Sequence, residues 1–595
     1  MSRSRQRLGC GAEVLSDGVR FRLYAPALKS AAVTLDDGRC MPMTSADGGF
    51  FELHVEGLGA GALYRYEIAP GEHVPDPASR FQPHDVSGPS EAIDPSAYDW
   101  GDDDWRGRPW SEAVVYELHV GCFGESSDFK GVERHLDHLE RLGITAIELM
   151  PIADFEGMRN WGYDGVLPYA PDHSYGRPET LKKLVDACHQ RGFMVLLDVV
   201  YNHFGPSGNY LARYAPDFFH PERHTPWGAA LAFDNPVLRR FFIDNALYWI
   251  GEYRFDGLRL DAVHAIEEAP GGRHFLDELA VRVREATPDR EVHLVLENDR
   301  NEAHWLPRTM YPHRYSVQWN DDFHHAAHAF ITGERDGYYV DYAETAVRHL
   351  ARALAEGFSY QGERSVFRDG RVRGEPSAAV WPAAFENFLQ NHDQIGNRAF
   401  GERITHLVPT GRLRVLYALL FLSPAVPLVF MGEEWAASTP FLYFCDFHGE
   451  LGDAVQAGRR REFNRFAKFN DETVRRDIPD PLAPDTFYRS RLDWGEVGEP
   501  VHAEWQDFVS GLIACRQREL VPRLEGIASG TWRVLGETAF AVEWPLADGT
   551  RWCIEANPGD AAVRAQAPRG RRVYTQAAED DGILPPDSIR VTQYE

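Results

Sequence analysis

The chain has 595 residues, 44% of them hydrophobic and 26% charged, which is room for about two to four soluble domains with a sizeable core. Its formal net charge of −28 argues against nucleic acid or an anionic membrane surface as a partner, because both attract basic faces. The seven cysteines (Cys10, Cys40, Cys122, Cys188, Cys445, Cys515 and Cys553) are odd in number and contain no CxxC pair, so they suit a reducing, cytoplasmic setting better than a disulfide framework.

Residues 1–7 are partly basic but no apolar core follows them, so no signal peptide is expected. Residues 1–95 alternate in the manner of strands, as in Val-Arg-Phe-Arg-Leu-Tyr at 19–24, Phe-Phe-Glu-Leu-His-Val at 50–55 and Tyr-Arg-Tyr-Glu-Ile at 64–68. A small β-sandwich is expected there, either glycan-binding or simply a packing module. Residues 75–110 are rich in Pro, Asp, Ser and Gly and read as a linker wrapped on the surface.

From residue 113 strands and helices alternate. Strands are expected at 114–120, 146–151, 193–201, around 259–261, and at 292–297, 315–319, 385–390 and 427–431. Helices are expected at 129–142, 178–191, 237–253 and 275–286. Near-continuous apolar strands separated by helices imply a parallel sheet, and eight of them imply an α/β (β/α)8 barrel over 96–520. A doubly wound open sheet is the alternative, but no GxGxxG or GxxxxGK[ST] loop supports it. The apolar run 418–431 is too short for the ~20 residues of a membrane span and contains Pro424 and Pro427. The stretch 203–236 is too long for an ordinary loop and reads as an irregular, functional excursion. After Arg459 the chain turns irregular and charged, then helical over 501–520. Alternation returns from Thr531, so 521–595 is expected to form a small C-terminal β-domain.

The fourth barrel strand carries the chemistry. Phe-Asp-Gly-Leu-Arg-Leu-Asp-Ala-Val at 255–263 is apolar except for Asp256, Arg259 and Asp261. Charges in a buried strand are costly unless paired or used. One reading is a structural ion pair, the other a catalytic carboxylate at a strand end. Polar residues also end neighbouring strands: Asp198, Asn202 and His203 the third, His264 the fourth, Glu297 the fifth, His392 and Asp393 the seventh. In a barrel these ends converge on one face. Two carboxylates on one face are the minimum for glycosidic cleavage, one donating a proton and the other attacking or activating water. Trp161, Tyr163, Tyr169, Tyr175, Trp227, Trp319 and Phe323 lie in the adjoining segments, where some would stack on sugar rings and about half would be core. There is no HExxH, EF-hand or Cys/His knot, and adjacent His324 and His325 cannot easily share a ligand face, so no metal is expected. No GxSxG elbow suggests a serine hydrolase.

Asp-Val-Val-Tyr-Asn-His at 198–203, Gly-Leu-Arg-Leu-Asp at 257–261, Glu297 at a strand end and Asn-His-Asp at 391–393 resemble, in order and spacing, the four signature regions of the α-amylase superfamily, glycoside hydrolase family 13. Residues 143–151 resemble its second-strand region, and the layout of three domains is similar over the whole chain. Within the superfamily, 198–210, 294–301 and 388–398 look like the branch that cleaves the α-1,4 bond next to a terminal trehalose unit. Residues 160–171 look like that branch and branching enzymes alike.

The resemblance implies maltooligosyl trehalose and maltodextrins as substrates, no cofactor, and a monomer or simple homodimer. It implies Asp261 as nucleophile, Glu297 as general acid/base and Asp393 as the third carboxylate. Arg259 would be the charge partner of Asp261, His203, His392 and His264 would contact sugar, Asp198 would support the site, and Tyr163 would be a stacking platform. A separate expectation is that the loop 319–323 after the sixth strand faces the trehalose end, with Asn320 and Asp321 binding substrate and changes at Asp321 or Phe323 altering the preference for trehalose-capped chains. A retaining reaction would put the Asp261 and Glu297 carboxyls roughly 5–5.5 Å apart. Glu297 must start protonated, so an apolar setting is expected around it. Many relatives use the equivalent of Asn202 for calcium, but no second carboxylate cluster follows His203 here, so no calcium is expected. A branching or debranching enzyme is the enzymatic alternative, and an inactive glycan-binding relative the other. Retention of all three carboxylates argues against the last.

Overall fold

The computed structural model describes residues 9–225, 228–268, 273–306, 314–463, 476–567, 569–578 and 582–595. Residues 1–7 and Trp227 therefore lie outside the described residues.

The N-terminal sandwich is built as the alternation implies. Val19, Phe21 and Leu23 of strand Gly18–Tyr24 are fully buried while Arg20 and Arg22 face outward. Burying side chains of this kind stabilises by about 1.5–3 kcal/mol each. One sheet has Gly18–Tyr24 between Gly11–Val14 and Phe50–Glu56, and the other is built on Leu63–Ala69.

The stretch 75–110 is not a surface linker. Residues 76–82 are buried, and strand Ser90–Glu91 pairs with Leu63–Ala69 of the sandwich. Polar groups explain the burial. Asp76 accepts from the hydroxyls of Tyr64 (2.6 Å) and Tyr66 (3.3 Å), and the Arg80 guanidinium lies over the rings of Tyr169 and Tyr248 in the barrel domain.

The barrel is closed and parallel. Its eight strands are Val115–Leu118, Ala146–Leu149, Met194–Val199, Gly257–Leu260, His293–Leu296, Val317–Trp319, Phe385–Phe388 and Val426–Phe430. Each falls within or against an expected strand. The open-sheet alternative is thereby excluded.

The expected helix 129–142 is two, Phe129–Arg134 and Leu136–Leu142, broken at His135. The excursion 203–236 is less irregular than its sequence implies: it holds the helical turn Leu211–Tyr214 and a hairpin of Phe219–Thr225 with Gly228–Leu231. The late helix is α-helical only over Pro500–Cys515, and Arg516–Leu520 widens into a π-helical turn. There Arg516 is buried and donates to the carbonyls of Phe421 and Ser423, capping the helix before barrel strand eight. The C-terminal five-stranded sheet docks on the same helix, with Trp552 Nε1 donating to Leu422 O at 2.8 Å. Among the described residues no helix is long and apolar enough to cross a membrane, and all seven cysteines are free.

Candidate active site

Strand register places the first charges. Asp198 and Arg259 are direct partners across barrel strands three and four, so both point into the barrel. The Arg259 guanidinium is fully buried and stacks 3.9 Å above the Trp319 ring. Its Nη1 donates to both oxygens of Asp198, at 3.0 and 2.8 Å, and to Asp261 Oδ1 at 2.9 Å. Its Nη2 lies 3.1 Å from Glu297 Oε2, in ion-pair contact though not aligned as a hydrogen bond. One guanidinium thus touches both Asp261 and Glu297.

Beyond the strand end the chain turns sharply. Ala262 adopts the left-handed region with φ 40°, and its amide donates to Glu297 Oε2 at 2.7 Å. Asn202 Nδ2 donates to the Asp261 carbonyl and to Asp261 Oδ2, both at 2.8 Å. The other end of that amide faces His203 Nδ1, so Asn202 is committed on both sides. The residues present do not fit a calcium ion there.

Asp393 opens a short helix whose N-cap, Asn391, accepts from the Asp393 amide. Its carboxylate is 40% exposed, which leaves it open to a ligand, and lies 3.5 Å from His392 Nε2. His392 Nδ1 pairs with Glu117 of barrel strand one, and Nε2 is 2.9 Å from the Tyr163 hydroxyl. The Tyr163 hydroxyl donates to Asp198 Oδ2 at 2.5 Å, and its ring is half-buried against His392. His203 Nε2 meets the Tyr163 carbonyl at 3.0 Å. The two histidines and Tyr163 form one wall.

Electrostatics separate the carboxyls. Burial holds Glu297 well above the usual carboxylate range; Arg259 opposes this, and Asp261, Asp393 and Asp321 add to it. Burial pushes Asp198 up to about 6, again against Arg259. Burial would lower His392, but Glu117 and Asp393 more than offset it, and its affinity for a proton is raised. His203 and His264 are lowered, chiefly by burial.

Some expected positions fall elsewhere. Asn320 is fully buried, and its amide donates to Gly357 O and Asn387 Oδ1, so it braces the barrel and does not line the mouth. Trp161, Tyr169, Tyr175, Trp319 and Phe323 are each under 5% exposed and are core. His264 stays at the rim, with Nδ1 3.6 Å from Asp299. Asp321 lies close enough to Glu297 and Asp393 to affect both environments, and burial pushes it up to about 7. His324 and His325 are buried, and His324 bonds the Leu389 carbonyl and the Tyr339 hydroxyl. Sequence reasoning passed over Glu117, and also Asp322, which accepts from the amides of Ser359 and Tyr360 and pairs with Arg373. Glu117 had a local signal, being a charge in an apolar barrel strand like Arg259.

A closed parallel barrel with three acidic side chains about its mouth defines a glycoside hydrolase of the α-amylase type. Family profiles agree: residues 95–227 match the alpha amylase catalytic domain, 9–79 match carbohydrate-binding module 48 (isoamylase N-terminal domain), and 528–591 match a domain of unknown function, DUF3459. A malto-oligosyltrehalose trehalohydrolase of Deinococcus radiodurans is 39% identical over 97% of this chain and 94% of its own length. Another from Arthrobacter ramosus is 43% identical over 84% of this chain and 87% of its own. The chain belongs to the malto-oligosyltrehalose trehalohydrolase family. A Salmonella typhimurium crystal structure, provisionally described as an alpha amylase, superposes with a TM-score of 0.95 at 43% identity, covering 99% of this chain and 100% of that one. A 1,4-alpha-glucan branching enzyme of Pseudoalteromonas atlantica is 33% identical, but over only 41% of this chain and 38% of its own.

Proposed function

We propose that this chain hydrolyses the α-1,4 bond next to the terminal trehalose unit of maltooligosyl trehalose, releasing trehalose and a maltodextrin with retention. The observation that carries the chemistry is the single buried guanidinium of Arg259 contacting both Asp261 and Glu297. Two carboxyls on two arms of one guanidinium suit the narrow spacing of a retaining pair, roughly 5–5.5 Å, better than the wider gap an inverting enzyme needs for its water.

In the first step Glu297 gives its proton to the glycosidic oxygen, and trehalose leaves with that oxygen. Asp261 attacks the anomeric carbon and becomes esterified to the maltodextrin. In the second step Glu297, now ionised, takes a proton from water, and the resulting hydroxide equivalent attacks the same carbon and frees Asp261. Burial suits Glu297 to start protonated, and Asn202 with Arg259 aims Asp261. Asp393, His392 and His203 bind hydroxyls of the distorted sugar, Tyr163 offers its half-buried ring to that sugar's apolar face, and His264 contacts substrate from the rim. Asp198 acts from below, through Arg259 and Tyr163.

The trehalose preference rests on the near full-length similarity to proteins bearing that name. The free cysteines suit work in the reducing cytoplasm. Products from maltotriosyl-trehalose and from maltopentaose test the reading. Trehalose plus maltotriose from the first, with little action on the second, is expected. Equal cleavage of both would leave a broad α-glucan hydrolase, and new branch points would make it a transferase.

A further inference from the structure

The loop carrying Asn160, Trp161 and Tyr163 is closed at its root by two short antiparallel strands, Ala153–Asp154 and Leu167–Pro171. Three side chains gather at that root, outside the catalytic site: Asp154, Asp172 and His173. Their ligand atoms all lie within 4.8 Å of one another. Asp154 is fully buried, yet neither side-chain oxygen has a hydrogen-bond partner among the described residues. A carboxylate so placed is strongly disfavoured unless a positive charge completes it.

The neighbours supply only part of that. Asp172 Oδ2 accepts from the Phe155 amide at 3.1 Å and Oδ1 from the amide and hydroxyl of Ser174, which leaves lone pairs on both oxygens. His173 Nδ1 lies 3.8 Å from Asp154 Oδ1 and 3.8 Å from Asp172 Oδ1. That is too far for a hydrogen bond, and it is an ion pair only while the imidazole is protonated. It suits neighbouring ligands of one ion, which stand roughly 3–4 Å apart when each bond is about 2.1 Å. The Asp85 carboxylate, which accepts from the amides of Val86 and Gly157, adds negative charge felt by Asp154 and His173. The His173 side chain is 19% exposed, giving a small ion a way in.

We propose that Asp154, Asp172 and His173 bind one divalent cation, which ties the two strands of the loop root together and so holds Tyr163 at the catalytic site. The ligand set, two carboxylates and one imidazole, favours Mn²⁺ or Zn²⁺ over Ca²⁺. The cation is structural, and no step of the reaction passes through it. This departs from the sequence-based expectation of no metal.

The test uses the full chain, dialysed against chelator and titrated calorimetrically with MnCl₂, ZnCl₂ and CaCl₂, with thermal unfolding followed in parallel. One equivalent of Mn²⁺ or Zn²⁺ should bind saturably and raise Tm by a few degrees. Asp154→Asn should weaken binding by about 100-fold or more, and His173→Asn by a smaller factor. The wild-type titration stands even if a variant folds poorly. Absence of saturable binding by all three ions, or equal binding by wild type and a folded Asp154→Asn, would overturn the proposal. Binding of Ca²⁺ alone, unaffected by His173→Asn, would overturn the role of His173.

Discussion

The Ala262 amide donates a 2.7 Å hydrogen bond to Glu297 Oε2, and Ala262 holds a left-handed φ of 40° to reach it. A side chain branched at Cβ resists that conformation far more than alanine does, whereas glycine accepts it freely. Ala262→Val is therefore expected to lower kcat by about 10-fold or more with little change in KM, because a small displacement of an acid/base group is costly. Ala262→Gly should stay near wild type. Steady-state kinetics on maltotriosyl-trehalose check this, and equal rates for the two variants would remove the turn from the mechanism.

Glu297 is held well above the usual carboxylate range by burial, so activity should fall as pH rises through its raised value, since the proton donor is then lost. Glu297→Gln should lower kcat by about 10²–10⁴-fold and leave maltodextrin affinity within a few-fold. Stability gives an independent reading. With a raised folded value, the native state holds a proton that the unfolded chain has released, so ionisation weakens the fold as pH rises from about the ordinary glutamate value upward. Glu297→Gln removes that penalty. Its Tm should match wild type near pH 4 and exceed it near pH 8. A gap that does not widen with pH would contradict a neutral Glu297.

Asn202 aims Asp261 through two 2.8 Å bonds from one amide nitrogen. Asn202→Ala leaves Asp261 held by Arg259 alone and free to rotate, and should slow formation of the glycosyl-enzyme by about 10–100-fold. Asn202→Asp keeps the shape but sets a second negative charge beside Asp261, and should be slower still. Rapid-quench measurement of the first turnover of trehalose release resolves this step. A first turnover as fast as wild type would show that Arg259 suffices.

Barrel and site were legible in the sequence to different depths. Arg259 and Asp261 stood out because charge in an apolar strand demands a use, and the strand count followed from continuous apolar runs bounded by turns. What the pattern could not give were partnerships across long sequence distances. Asp76 with Tyr64 and Tyr66, and Arg80 over Tyr169, bury a segment whose composition reads as exposed linker. Trp319 belongs under a guanidinium and not under a sugar, and Asn320 faces the barrel wall, because a one-residue change in register moves a side chain to the other face.

Asp321 begins the helix Asp321–Thr332, half-buried where its neighbour Asn320 is fully buried, and its charge is felt at both Glu297 and Asp393. Under the proposed function, it is the residue of the loop after barrel strand six that would meet the trehalose end. Phe323 is fully buried and would report only on folding. Asp321→Asn is expected to lower kcat/KM for maltotriosyl-trehalose by about 10-fold, the worth of one hydrogen bond to a charged acceptor, while maltopentaose changes less. Because burial pushes Asp321 up to about 7, its charge appears as pH rises through neutrality. The wild-type preference for the trehalose-capped substrate should therefore shift between pH 6 and 8, and Asp321→Asn should flatten that shift. An unchanged ratio of kcat/KM values in the variant at every pH would remove this loop from substrate selection, leaving the loop around Asp299 and Arg368, joined by a 2.6 Å salt bridge, as the next place to look.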